Sequence, residues 1–224
     1  MGYSNIDFCE LNKSDTEMLH VEVTEKICKL CENIGTKQIF LSSDYVFDGE
    51  KGNYSEDDVP NPVNYYGLSK LKAEQLILKN PINTVIRTSV IYDWDYRARF
   101  FNSVIKNLQS NQAINATTDV YNSVTFLDNL VESIFKVITL NQNGIFHVVD
   151  SACVNRFEFA EMIAKIFRLD KNLIKTVSVQ DEPKNIAKRP KNACLNNSKA
   201  KKELGLNFNT IEEGVSRVFM KSQL

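Results

Sequence analysis

The chain has 224 residues, of which 43% are hydrophobic and 25% charged, and this composition is typical of a globular protein with a substantial core. Its 27 Lys and Arg and 28 Asp and Glu leave a formal net charge of −1, which gives no electrostatic support to a nucleic-acid or membrane-surface role. No apolar run approaches the ~18 residues of a transmembrane helix, so we expect a soluble, cytoplasmic protein with no nucleic-acid and no membrane partner.

The first half of the chain alternates between helical and extended patterns. Residues 14–34 are predicted to form a helix, and a strand is predicted at 38–43. A loop rich in Gly, Asp, Pro and Asn follows at 48–64, and the helix predicted at 64–80 ends before a proline. The run INTVIRTSVIY at 82–92 predicts further β-structure.

The second half repeats this alternation. Four helices are predicted, near 97–110, 127–139, 155–168 and 210–221, with short strands at 145–149 and 174–179. Helices that alternate with strands favour an α/β fold with a parallel sheet.

The cysteine pattern gives little evidence of a metal site. An odd number of cysteines, five, without a secretion signal indicates reduced thiols. Cys28 and Cys31 form a Cys-x-x-Cys pair inside the first predicted helix, but the other three cysteines supply no second pair at the spacing of a zinc site. We therefore expect helix cysteines and no metal.

Polar residues end the first predicted strand, where FLSS runs into DYVFDG. Ligands of open parallel sheets bind beyond the carboxyl ends of the strands, so we expect Ser43 to face a ligand. Further along the chain, Tyr66 and Lys70 are four residues apart in a predicted helix and share a face. A nearby cation lowers the pKa of a phenol toward the working range of a proton donor. Alone, this Tyr-x-x-x-Lys motif more often marks a surface helix with an exposed lysine, but with the Ser-Ser strand end it predicts a carbonyl-reducing site.

Several segments resemble the dTDP-4-dehydrorhamnose reductases, which are extended short-chain dehydrogenase/reductases that reduce a 4-keto nucleotide sugar with NADPH. The segments that carry the resemblance are SSDYVFDG, YSEDDVPNPVNYYGLSK, VIRTSVIY, TTDVYNSVTFLDNLVESI and AKRPKNACLNNSKAKKELG. The similarity runs over nearly the whole chain. It implies an incomplete Rossmann-like parallel sheet with a smaller C-terminal substrate-binding lobe.

The resemblance assigns roles to ten residues. It implies that the catalytic residues are Ser43, Tyr66 and Lys70. The cofactor, NADPH or NADH, is expected to lie along Tyr66, Lys70, Arg87, Thr88 and Ser89. The nucleotide-sugar substrate is expected to contact Ser43, Asp44, Tyr45, Val90 and Arg189. A homodimer is possible.

The same resemblance divides the chain into two lobes. Residues 1–94 and about 124–150 are expected to form the C-terminal part of a Rossmann-like NAD(P)-binding domain. The substrate-binding lobe is expected at about 95–123 and 151–224.

The sequence departs from the family pattern at three places. Val90 stands where the family often has a tryptophan that packs on the sugar, and Leu19-His20 stands for a Val-Asn pair. His20 either takes over the asparagine's support of the active-site lysine through water or is an ordinary helix histidine. None of the eight glycines forms a Gly-x-Gly-x-x-Gly or Gly-x-x-Gly-x-x-Gly motif, so the first βαβ units are expected to be absent and NADPH binding by this chain alone is doubtful.

Three hypotheses for function follow. The first is an NADPH-dependent reductase of a 4-keto-6-deoxy nucleotide sugar. The second is a non-catalytic binding protein similar to the regulatory beta subunit of methionine adenosyltransferase, which shares this architecture. The third is a truncated fragment without independent activity.

Overall fold

The computed structural model describes residues 2–94, 99–181 and 186–223. The predicted start of the helix at 97–110 therefore lies outside the described residues. Within these ranges, no helix combines the length and the apolar character that crossing a membrane requires.

Helices and strands alternate along the described part of the chain. The α-helices are α1 (Ile6–Leu11), α2 (Lys13–Glu17), α3 (Val23–Asn33), α4 (Tyr65–Ile77), α5 (Arg99–Gln109), α6 (Leu127–Thr139), α7 (Arg156–Phe167), α8 (Ser198–Leu204) and α9 (Ile211–Lys221). The strands are β1 (Ile39–Ser43), β2 (Thr84–Thr88), β3 (Ile91–Tyr92), β4 (Ile114–Thr117), β5 (Tyr121–Ser123), β6 (Thr125–Phe126), β7 (Gly144–His147), β8 (Cys153–Asn155) and β9 (Ile174–Val177).

Strands β1, β2 and β7 form a parallel sheet in that order, with β2 in the centre. Every residue of β2 is buried because helices cover both faces of the sheet. On one face Ile86 packs with Leu130 of α6, and on the other Val85 packs with Ile77 of α4. The predicted α/β fold with a parallel sheet is confirmed.

The other strands pair two by two: β3 with β6 and β4 with β9 in parallel, and β5 with β8 antiparallel. Beside them, α5, α7 and α9 enclose a core rich in aromatic rings, including Tyr92, Phe101, Phe126 and Phe159. This core joins residues from both predicted lobes, so the residue-level boundary between the lobes stays a prediction.

Most of the long predicted elements are present, and the short strands predicted at 145–149 and 174–179 correspond to β7 and β9, whereas four other short strands and the helices α1 and α8 were missed. Strand β1 lies inside the predicted strand 38–43 and α4 inside the predicted helix 64–80, whereas the run 82–92 is interrupted at Ser89 and Val90 between β2 and β3. The missed strands β4, β5, β6 and β8 have two to four residues each, too few for an alternating pattern to emerge.

The expectation that all cysteines are reduced is wrong. Cys153 and Cys194 form a disulfide with a Cα–Cα distance of 5.5 Å, and Cys9, Cys28 and Cys31 are free. The paired cysteines are 41 positions apart in the sequence, so only the three-dimensional packing of β8 against the segment 191–195 brings them together.

Candidate active site

Ser43 ends β1 and begins a short 3-10 turn at Asp44–Val46, for which it serves as the N-cap. Its hydroxyl donates to Asp44 Oδ1 (2.9 Å) and accepts from the backbone N–H of Tyr45 (3.3 Å). A serine hydroxyl has two acceptor lone pairs, and the second is directed to Tyr66, which forms a hydrogen bond with the Ser43 side chain. The strand therefore ends with an oriented hydroxyl, as its polar sequence predicted.

Helix α4 carries the other two predicted catalytic residues. It begins after Asn64, whose side chain caps the first turn by accepting from the N–H of Gly67 (2.9 Å). Tyr66 and Lys70 share the face that looks toward the end of β1, and Lys70 Nζ donates to the carbonyl of Leu41 (3.1 Å). The Tyr66 ring packs edge-on against Tyr45, with the centroids 5.8 Å apart.

The protonation of the site differs in one respect from the sequence argument. Burial raises the pKa of Tyr66, and a hydrogen bond with the Ser43 side chain lowers it only in part. Burial also lowers the pKa of Lys70, against the opposing charge of Glu74. The expected lowering of the phenol pKa is therefore wrong for this state of the protein. Tyr66 keeps its proton at neutral pH, as a proton donor must.

Asp44 is buried, and three side chains donate hydrogen bonds to its carboxylate. Ser43 donates to Oδ1, while Ser89 Oγ (2.6 Å) and Asn122 Nδ2 (2.8 Å) both donate to Oδ2. Burial raises its pKa, and these three hydrogen bonds act in the opposite direction. Asp44 therefore connects the ends of β1 and β2 to β5, and little of its hydrogen-bonding capacity is left for a substrate.

A cavity of about 390 Å³ lies over these strand ends. Eight of the ten predicted residues line it: Ser43, Asp44, Tyr45, Tyr66, Lys70, Thr88, Ser89 and Val90. Ser42 also lines the cavity, and its buried hydroxyl oxygen has no hydrogen-bond partner in the described structure. A buried hydroxyl without a partner is unfavourable unless a ligand satisfies it, so Ser42 points to a polar ligand here.

Arg87 does not reach this cavity. Its guanidinium is 2% exposed and forms a two-pronged ion pair with Glu74 (Nη2–Oε2, 2.7 Å; Nε–Oε1, 3.0 Å). A third contact joins it to His147 Nε2 at 3.4 Å. Because Glu74 lies one turn beyond Lys70 on α4, Arg87 fixes this helix to β2. The structure therefore places the predicted cofactor residue beneath the site.

His20 joins α4 to the N-terminal segment. It lies in a π-helical turn, Met18–Glu22, that interrupts the predicted helix 14–34. Its Nε2 accepts from the N–H of Tyr3 (2.8 Å), so Nδ1 carries the proton and donates to Ser69 Oγ (2.8 Å). Burial, followed by the charge of Lys70, lowers its pKa to about 4. Both nitrogens are thus occupied by protein groups, which favours an anchoring role over support of the lysine through water.

Val90 adopts a backbone conformation that is unusual for its residue type. Its φ is +34°, in the left-handed region that β-branched residues rarely enter, at a cost of roughly 1–3 kcal/mol. The residue lies between β2 and β3 and lines the cavity. Such strain is typical of functional sites, which adds a second reason to place the site here.

A second cavity of about 280 Å³ adjoins the first through Tyr45 and Arg156, which line both. Arg189, predicted to contact substrate, lines the second cavity and forms an ion pair with Asp7 (2.6 Å). Arg156 lies over the ring of Phe100, 4.6 Å from its centroid, and belongs to none of the ion pairs of the described residues. Two guanidinium groups around one cavity make it suitable for an anion.

The sequence reasoning missed Arg156. A signal was present in the sequence, because Asn155-x-x-Glu158 is a capping box, a motif that begins helices. In the structure the Asn155 side chain accepts a hydrogen bond from the N–H of Glu158, and the Glu158 carboxylate accepts one from the N–H of Asn155. This motif begins α7 and places Arg156 at its first residue, beside the cavities.

Comparison with known proteins agrees with this geometry. The sequence profile described as the RmlD substrate binding domain matches residues 2–224. A crystal structure described as a hypothetical dTDP-4-dehydrorhamnose reductase from Sulfolobus tokodaii is similar at 34% identity with a TM-score of 0.86, covering 96% of this chain and 76% of that one. The dTDP-4-dehydrorhamnose reductase of Bacillus anthracis, solved in complex with NADP, is similar at 27% identity with a TM-score of 0.91, covering 98% of this chain and 78% of that one.

Other relatives have different descriptions. The methionine adenosyltransferase 2 subunit beta of Bos taurus is 31% identical over 204 residues, covering 86% of this chain and 60% of the relative.

Proposed function

The chain belongs to the RmlD substrate binding domain family, and on this basis we propose that it serves the NADPH-dependent reduction of a 4-keto-6-deoxy nucleotide sugar. The observation that supports the proposal most directly is the convergence of Ser43, Tyr66 and Lys70 on one cavity. They supply a hydroxyl, a phenol that keeps its proton and a cation around one point, which is the set of groups that carbonyl reduction requires.

In the proposed reaction Tyr66 donates its proton to the carbonyl oxygen of the sugar. Ser43 positions the same oxygen by turning its hydroxyl proton from Asp44 Oδ1 to the carbonyl, while the N–H of Tyr45 still donates to Ser43 Oγ. Lys70 places a positive charge near the phenol, which stabilises the phenolate that is left behind.

The residues present fit one end of a nicotinamide cofactor, which supplies a hydride when it is bound. We propose that Tyr66, Lys70, Thr88 and Ser89 hold its nicotinamide ribose, and the hydroxyl of Ser42, which has no protein partner, offers an additional contact. The pyrophosphate end has no glycine-rich turn in these 224 residues. NADP is the ligand of the Bacillus anthracis relative.

The second cavity suits the diphosphate of the nucleotide. We propose that Arg156 and Arg189 bind its oxygens, while Tyr45 lies between the diphosphate and the sugar. Burial raises the pKa of Tyr45 to about 12, so it stays neutral beside the anion. This arrangement would direct the sugar end of the ligand toward Ser43 and Tyr66.

Ligand binding tests the substrate assignment without any cofactor. We expect dTDP-rhamnose to bind the chain in isothermal titration calorimetry, and Arg156→Gln or Arg189→Ala to raise Kd at least tenfold. Arg217→Gln removes an exposed arginine on α9 and should leave Kd unchanged. Absence of binding, or equal losses in all three variants, would contradict the assignment.

A chimera tests the catalytic assignment, because these 224 residues contain no glycine-rich turn. With a glycine-rich βαβ segment joined ahead of the chain, we expect Tyr66→Phe to lower kcat by ~10²-fold or more with little change in KM. The matched control is Tyr65→Phe on the preceding residue, whose hydroxyl donates to Glu17 outside the cavity. Near-normal turnover in Tyr66→Phe would remove Tyr66 from the mechanism.

The second candidate is a binding protein like the methionine adenosyltransferase beta subunit, and the 31% identity to the Bos taurus protein favours it. This alternative predicts association with a methionine adenosyltransferase catalytic subunit and no turnover in the chimera. Analytical ultracentrifugation of the mixture distinguishes it from the reductase.

A further inference from the structure

The Cys153–Cys194 disulfide joins two chain segments that each carry one of the cavity arginines. Cys153 begins β8, and Arg156 follows the last residue of that strand. Cys194 lies five positions after Arg189 in the sequence. The covalent bond therefore restrains both segments at points close to the guanidinium groups.

Both segments also pair with strand β5: β8 pairs with it over three residues, and the segment 191–195 contacts it through two backbone hydrogen bonds (Tyr121 N–H to Lys191 O, 2.7 Å; Ala193 N–H to Tyr121 O, 3.0 Å). Beside the disulfide, Cys153 Sγ lies 3.6 Å from Asn192 Oδ1. The disulfide joins the two segments covalently. Without it, the capping box of α7 still holds Arg156 and the ion pair with Asp7 still holds Arg189, but the position of one arginine relative to the other depends on pairing through β5.

The disulfide is accessible to a small thiol. Cys153 is exposed while Cys194 is buried, and both line a cavity of about 420 Å³ that is distinct from the two cavities of the proposed site. Lys51, whose ammonium is paired with Asp58 (2.5 Å), and Lys201 also line this cavity, and positive charge favours the thiolate that forms when a disulfide is attacked.

We propose that Cys153–Cys194 is a thiol–disulfide exchange site that sets the affinity for the diphosphate end of the ligand. A dithiol reductant attacks Cys153 Sγ as its thiolate, the S–S bond breaks, and Cys194 leaves as a thiolate that takes up a proton. The second thiol of the reductant then releases Cys153. The protein gains two electrons and two protons, and the reductant becomes a disulfide. The oxidised protein binds a nucleoside diphosphate tightly because Arg156 and Arg189 are held in place, and the reduced protein binds it weakly. This inference rests on the proposed role of these two arginines.

Titration with dTDP as the probe, before and after reduction of the full chain with dithiothreitol, tests the proposal. We expect reduction to raise Kd about tenfold, reoxidation to restore it, and alkylation of the denatured protein to count three thiols before reduction and five after. Cys153→Ser/Cys194→Ser should bind like the reduced protein in both conditions, whereas Cys31→Ser should still respond to reduction.

The outcomes separate this proposal from the proposed function. Equal Kd in the oxidised and reduced wild-type protein, with thiol counts of three and five, overturns the exchange site and leaves the substrate assignment intact. A count of five thiols before reduction also overturns it. Absence of dTDP binding in both states overturns the diphosphate assignment and this inference with it. Thermal melts of the wild-type protein in both states show whether a loss of affinity is simply unfolding, and unfolding at the assay temperature counts against the proposal.

Discussion

Gly67 lies where α4 approaches the turn after β1, and replacing it with alanine tests whether this close contact holds the site together. A Cβ built on Gly67 would lie 2.9 Å from the carbonyl carbon of Tyr45 and closer still to its oxygen. Non-bonded carbon atoms sit at about 3.5–4.0 Å, so the helix and the turn would have to separate by about 1 Å. Both neighbours are backbone, and neither can rotate away as a side chain would.

Two opposing effects decide the sign of the change in stability. Alanine is favoured over glycine within a helix by about 1 kcal/mol. Forcing an extra methyl group into a packed site costs about 1–3 kcal/mol. Because the atoms that meet the new methyl group are rigid backbone, we expect Gly67→Ala to cost about 3 kcal/mol, the upper end of that range. We therefore expect a net loss of about 2 kcal/mol in the free energy of unfolding, or roughly 4–8 °C in Tm for a chain of this size.

Urea unfolding followed by circular dichroism measures this change. Gln75→Ala, at an exposed position of the same helix, is the control and should stay within about 0.5 kcal/mol of the wild-type protein. A Gly67→Ala variant that is more stable than the wild-type protein, by the ~1 kcal/mol of helix propensity, would refute the close contact.

Three further predictions concern charge and cofactor. Glu74→Gln should lower the free energy of unfolding in urea by about 3–5 kcal/mol, because it leaves the charge of Arg87 buried and unpaired. The double variant Glu74→Gln/Arg87→Met should recover most of that loss. A single variant as stable as the wild-type protein would contradict the buried pair. Between pH 6 and 4 the unfolded chain protonates its histidines while His147 (pKa lowered to about 3 by burial) and His20 (to about 4) resist protonation, so these two groups make unfolding easier as the pH falls. The pKa of Asp150, raised to about 6 by burial, and the raised pKa values of Asp44 and Glu56 act in the opposite direction. Each histidine that stays neutral contributes a slope of about 1.4 kcal/mol per pH unit, so His147→Gln should flatten the fall in the free energy of unfolding from pH 6 to 4 by about that amount, and an unchanged slope would contradict the neutral histidine. Finally, fluorescence titration of the 224-residue chain should show no micromolar NADPH binding, because no glycine-rich turn is available for the pyrophosphate.

The convergence of Ser43, Tyr66 and Lys70 could be predicted because it follows from local rules. A strand that ends in hydroxyls, and a tyrosine and lysine four residues apart on the next helix, leave few ways to arrange the three groups at the end of a parallel sheet. The structure brings all three to one cavity, as expected.

The position of Arg87 could not be predicted in the same way. All five residues of β2 are buried, so its sequence has no alternation that would show which face Arg87 occupies. Its partner Glu74 lies on the preceding helix, and only tertiary packing shows that the two side chains meet between α4 and β2. The three-residue strand β8, which precedes Arg156, was likewise too short to recognise by pattern.

The contacts that position the catalytic groups come from the described residues themselves. Asp44 holds Ser43, the Glu74–Arg87 pair fixes α4 to the central strand, and Ser69 links α4 through His20 to the N-terminal segment. None of these contacts requires a bound dinucleotide. Under the proposed function, substrate recognition and proton donation would be properties of this sheet and its lobe, whereas hydride supply would depend on a pyrophosphate-binding turn. Ligand binding and turnover should therefore be separable in experiment. A nucleotide sugar that binds these 224 residues without being reduced is what this division of the site predicts.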